Sequence, residues 1–139
     1  MLRLSGILLA GLSVCFLGAQ DAAKTELQGN WQAISMEASQ FGKAPKEIVD
    51  KTLMKFNGDT VDVNGKVAKF KLHGNTTPKG IDIMPNEGPF KGKSVPGIYK
   101  VEKGQLTICV SNSETRPKSF DLKKGEKQTL IVLKKVKSE

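Results

Sequence analysis

The sequence predicts an all-β fold, an antiparallel up-and-down barrel of about eight strands with at most one short helix. Three observations lead there. From Gly29 onward, short runs alternate apolar with polar residues, as where Ala68, Phe70 and Leu72 are interleaved with Lys69 and Lys71. Glycine-bearing pairs punctuate the runs at Asn57-Gly58, Asn64-Gly65, Lys103-Gly104 and Lys124-Gly125, and Asn-Gly favours the tight turn of a hairpin. No segment of the mature chain reads as a long helix. Closing such strands into a ring removes the unpaired edges that an open sheet leaves.

The N-terminal segment stands apart from this pattern. "MLRLSGILLAGLSVCFLGAQ" sets Arg3 ahead of an uncharged apolar run, Leu4 to Gly18, that ends in small residues. That anatomy predicts an export signal over residues 1–19, cleaved after Ala19. The run is shorter than the roughly 18 to 20 residues a spanning helix needs. A periplasmic or extracellular location follows, with no transmembrane segment in the mature chain. A competing reading anchors the chain by lipid at Cys15, because "LSVC" is similar to the lipobox of bacterial lipoproteins. Val14, where a small residue is expected, and the apolar residues after Cys15 count against it. Residues 20–27 read as a linker and 28–137 as one domain. Without residues 1–19, Cys109 is the only cysteine, so no internal disulfide holds the domain and its stability rests on a core.

Within the domain, "GNWQAISMEAS" (29–39) predicts a first strand with Trp31, Ala33 and Ser35 on one face and Gln32, Ile34 and Met36 on the other. Pro45 ahead of "KEIVDK" predicts one helical turn, suited to a lid across one end of the sheet. "TLMKFNGDTVDVNGKVAKFKL" predicts three strands in quick succession, turning at its two Asn-Gly pairs. After the loop "HGNTTPKG" comes the strand "IDIMP", then a long polar connection, "NEGPFKGKSVPG". "IYKVEKGQLTICVS" predicts a hairpin, and "SETRPKSFDLKKGEKQTLIVLKKVK" a last strand pair around Lys124-Gly125.

The charge is lopsided, 22 Lys plus Arg against 14 Asp plus Glu, for a net +8. Past the export signal, Arg116 is the only arginine. A flat guanidinium suits bidentate or stacked contacts, so a single arginine among lysines reads as placed for geometry, packed over an aromatic ring or capping the core. The basic balance admits anionic envelope polymers or lipid head groups as partners. It does not favour nucleic acid, because the lysines alternate along strands rather than interleaving with stacking aromatics. No glycine-rich phosphate loop, His-x-x-x-His or Cys-x-x-Cys is present, so neither cofactor nor metal is expected. Cys109 would need a lowered thiol pKa and a base to act as a nucleophile, and the only histidine is His73. The expectation is therefore a protein that is not an enzyme, with Cys109 as barrel wall.

"LQGNW" near the mature start contains the Gly-x-Trp signature of lipocalins at Gly29 and Trp31. Further motifs follow in order: Pro78, Lys79, Ile81 and Asp82; Pro96 to Tyr99; Leu106 to Cys109; and Arg116, Pro117, Ser119 and Phe120. Over residues 26–135 the chain resembles a group of small exported lipocalin-like domains without an assigned function, abundant in planctomycete bacteria. The resemblance implies a lipocalin-like barrel whose tryptophan closes the bottom beneath a basic residue. It brings no biochemical activity. Many lipocalins carry disulfides, and this mature chain has no pair of cysteines to form one.

A barrel of about eight strands encloses either side chains or one small ligand. The functional expectation is non-catalytic binding of a small, partly apolar or amphipathic ligand by a monomer. Trp31, Phe70 and Tyr99, with Phe56 and Phe120, are the candidate lining. Asp82, Lys79 and Arg116 are the polar candidates. Asp82 lies between Ile81 and Ile83 and points opposite to them. If the isoleucines face inward it is solvated; if it faces the interior, it needs Arg116 or Lys79 as partner. The alternative function is a basic, envelope-associated interaction module that binds anionic polymers or lipid head groups and has no ligand cavity.

Overall fold

A computed structural model describes residues 17–123 and 125–137. Most of the expected export signal, including Cys15, lies outside the described residues. The elements in order are α1 (Leu17–Leu27), β1 (Gly29–Ala38), β2 (Gly42–Lys43), α2 (Lys46–Lys51), β3 (Leu53–Asn57), β4 (Thr60–Val63), β5 (Lys66–His73), β6 (Lys79–Pro85), β7 (Val95–Glu102), β8 (Gln105–Ser111) and β9 (Gln128–Val136). From β3 to β9 each strand pairs antiparallel with the next, and β1 pairs with both β3 and β9. That closes a ring of eight strands, the up-and-down barrel expected. The two-residue β2 hangs on the end of β1.

Local chemistry explains the tight hairpins. Asn64 and Gly65 both take left-handed backbone, φ 54 and 91, between the paired Val63 and Lys66. Such a turn matches the twist of the strands it joins. In the preceding hairpin Asn57 still pairs with Thr60, so the central pair is Gly58-Asp59 rather than Asn57-Gly58, with Gly58 left-handed at φ 60.

Four expectations are corrected. There are two short helices, not one at most, because residues 20–27, read as a linker, lie in α1. The reason is tertiary: Ala23 and Leu27 are buried, and the Trp31 Nε1–H donates to the Leu27 carbonyl at 2.8 Å. In β1 the register shifts between Ala33 and Ser35, a bulge that re-aims the strand. Beyond it Met36 packs against the core while Ser35 and Ile34 are exposed, the reverse of the simple alternation. The "SVPG" that reads as connection is partly strand, since β7 begins at Val95. Finally, no strand pair forms around Lys124-Gly125; among the described residues, 112–127 contain no strand. Both sides of β9 are already taken, by β8 and β1.

The core fills the barrel around Trp31, Phe56, Val61, Ile81, Tyr99 and Leu133, with Leu27 packed into the same cluster from α1. Phe56 and Phe70 meet edge to face, their ring centroids 5.3 Å apart. The strand order gives the barrel two unlike ends. One carries α1 and the short turns β3–β4 and β7–β8. The other carries β2, α2 and the long connections 86–94 and 112–127.

Candidate functional site

Alternation along the strands aims Trp31, Phe70 and Tyr99 into the barrel, where all three belong to one buried cluster. Trp31 and Tyr99 are fully buried. The Lys135 ammonium lies 5.6 Å from the centre of the Trp31 ring. The Tyr99 hydroxyl is buried and has no hydrogen-bond partner among the described residues. Burial, and then the charge of Glu26, hold its pKa above the ordinary value for a phenol. Phe70 is paired with Ile83 across β5 and β6, and so sits deep to the other end of the barrel.

At that other end the inward-facing side chains are not sealed. Met36, Val63, Ile83, Val110 and Ile131 pack against the core and stay partly exposed. They form an apolar mouth on β1, β4, β6, β8 and β9, with Phe70, Ile81 and Ile108 as its floor.

The polar candidates assemble on the outer wall instead. Ile81 faces the core and is fully buried, which turns Asp82 outward. Yet Asp82 is not simply solvated, for its side chain is only 19% exposed. Neither expected alternative describes it: it faces out and is partnered. His73 Nε2 lies 2.6 Å from one carboxylate oxygen, and Arg116 Nη2 donates to the other at 2.7 Å. Burial pushes the Asp82 carboxyl up, but the hydrogen bonds from His73 and Arg116, and their charges, outweigh it and leave the pKa below the usual value.

Arg116 also donates through Nη1 to the carbonyls of Gly97 at 2.8 Å and Ile81 at 3.2 Å. A Cβ on Gly80 would stand 3.0 Å from that nitrogen, so the glycine is what lets the guanidinium lie down on the strand. Arg116 therefore fastens the 112–127 connection to the barrel wall. The expectation that it stacks on an aromatic ring is corrected, since its donors are spent on β6 and β7. It is Lys100 whose ammonium lies over the Phe120 ring, at 4.8 Å. Lys79 does not join the site; it is exposed, at the start of β6, in register with Tyr99.

Cys109 alternates with Ile108, a core residue, and so faces the outer side of β8, where it is fully buried. Burial, and then Glu126, push its thiol up to about 11. At neutral pH it is a thiol and a weak nucleophile. A polar cleft of about 450 Å³ opens between the connection and the barrel, lined by Ser111, Ser113, Arg116, Asp121 and Gln128 among others.

Sequence reasoning missed the roles of His73 and Gly80 and the mouth. The signal for Gly80 was available: a glycine preceding Ile81-Asp82-Ile83 inside a strand marks close approach by another group. Among the described residues, no group of three or more His, Cys, Asp or Glu converges as metal ligands would. No described helix is long and apolar enough to cross a membrane. Comparison of the chain with family models, with curated proteins and with solved structures gives no match.

Proposed function

We propose that this is a non-catalytic binding protein that takes a small, partly apolar ligand at the mouth of its barrel. The observation that carries the reading is the ring of inward-facing, partly exposed apolar side chains, Met36, Val63, Ile83, Val110 and Ile131, at one end of the core. Apolar surface left in contact with water is what a ligand gains by covering. The α1 half of the barrel is filled by Trp31, Tyr99 and Leu27, so the ligand sits above Phe70 rather than beside the tryptophan. A Cys109 thiol held protonated supports a reading without cysteine nucleophilic catalysis.

The test is thermal unfolding in the presence of straight-chain alcohols from hexanol to dodecanol. The expected result is a melting temperature that rises with chain length and keeps the rise in 1 M salt, because apolar burial is not screened. Ile83→Ser should remain folded and lose most of the rise. A melting temperature unmoved by every alcohol overturns the reading.

A further inference from the structure

The polar cleft between the 112–127 connection and the barrel is pinned on two sides. Arg116 fastens the connection to β6 and β7. Farther along, the Ser39 Oγ–H donates to the Glu126 carbonyl and its oxygen accepts from the Gln128 N–H at 3.0 Å, while the Asn112 N–H donates to the Lys127 carbonyl at 2.7 Å. The cleft's volume, about 450 Å³, lies in the range of small-molecule sites.

Its lining is short of both a donor and an acceptor. Gln128 is only 6% exposed; its Nε2 donates to Glu126 Oε2 at 2.6 Å, and its Oε1 has no donor among the described residues. A buried acceptor in that state costs free energy that an incoming N–H would recover. Ser111 and Ser113 place their hydroxyl oxygens 2.8 Å apart, and each accepts a backbone N–H. Whichever of the two donates to the other, one hydroxyl proton of the pair is left over. Lys118, Lys123 and Lys127 line the same cleft as Asp121 and Glu126, yet among the described residues no ion pair joins them. Opposite charges set around one space without neutralising each other suit a partner that carries both.

We propose that this cleft binds a small zwitterion, a free α-amino acid. Its ammonium sits on Glu126, beside the Gln128 amide oxygen, and its carboxylate turns to the lysines and the hydroxyls of Ser111 and Ser113. A bare anion would leave the Gln128 oxygen and both carboxylates unanswered, and a neutral polyol would answer neither set of charges. The cleft shares no lining residue with the apolar ring of the mouth, so the proposal is independent of what the mouth binds.

Backbone amide resonances of the full chain, followed by nuclear magnetic resonance, test it. Glycine, L-serine, L-glutamate and L-lysine are titrated in turn. The expected result is that at least one of them saturably shifts amides within residues 111–128 and leaves those of residues 53–73 in place. The N-acetyl and amide derivatives of that amino acid, each missing one charge, should bind roughly tenfold more weakly or worse. The same loss is expected in Glu126→Gln, which keeps an acceptor for Gln128, and in the double variant Lys123→Gln, Lys127→Gln. The spectra of the unliganded variants establish that they are folded. No saturable shift from any of the four amino acids overturns the proposal, and so does an equal response to inorganic phosphate or to glucose. Derivatives or variants that bind as tightly as the parent pair overturn it as well, because the two charges would then not be what is recognised.

Discussion

Tyr99 carries a hydroxyl without a hydrogen-bond partner among the described residues. A buried polar atom in that state costs free energy that a phenyl ring does not, so Tyr99→Phe should leave stability unchanged or raise it by about 1 kcal/mol in urea denaturation. A loss of several kcal/mol would show that the hydroxyl has a partner after all. Cys109 offers the opposite kind of case, a reactive atom kept out of reach. With its thiol at about 11 and no exposed surface, it should resist a disulfide-exchange reagent at neutral pH until the protein unfolds. Labelling as fast as that of a free thiol would refute its burial. The run Leu-Thr-Ile-Cys-Val made its place in a strand legible. Which side of the wall it faced was not legible, because burial is offered on both sides of β8.

The 112–127 connection behaves as an element without regular structure, fastened at Arg116. Its fastening titrates. The Asp82 carboxyl is held below its reference value of 3.8, so the proton is bound more weakly in the folded chain than in the unfolded one. The stability this contributes is fully present above the unfolded value and is lost as pH falls through the folded one. Asp82→Asn should therefore be less stable than the parent near pH 6, and the gap should narrow in urea titrations as the pH is lowered below about 4. A gap independent of pH would mean that the carboxylate charge is not what holds the connection.

The hairpins were readable from sequence because alternation and Asn-Gly turn chemistry act between near neighbours. The Arg116 clasp was not, since its carbonyl partners lie 35 and 19 residues away and are backbone groups that any sequence would supply. The helix α1 was missed for a related reason. A short helix of this kind owes its stability to packing, and Leu27 finds its place only once the barrel floor exists.

At the scale of the molecule, the barrel is a single meander closed by pairing its last strand with its first. Closure itself was legible, because a succession of short two-sided strands leaves edges that only a ring removes. Since β9 supplies neighbours to both β8 and β1, a chain stopped after Lys127 should lose two rows of backbone pairing at once. It should show no cooperative thermal transition by circular dichroism, whereas a cooperative melt would mean that an open sheet suffices.

Synthesis proceeds in the direction that makes this closure late. On the ribosome, β1 emerges early, yet the partner for its second edge, β9, follows every other described strand. Until then the nascent polypeptide displays Trp31 and its neighbours on an unfinished surface, and long-range pairing of this sort is slow to form. A holding chaperone would thus do most of its work on this protein before β9 pairs.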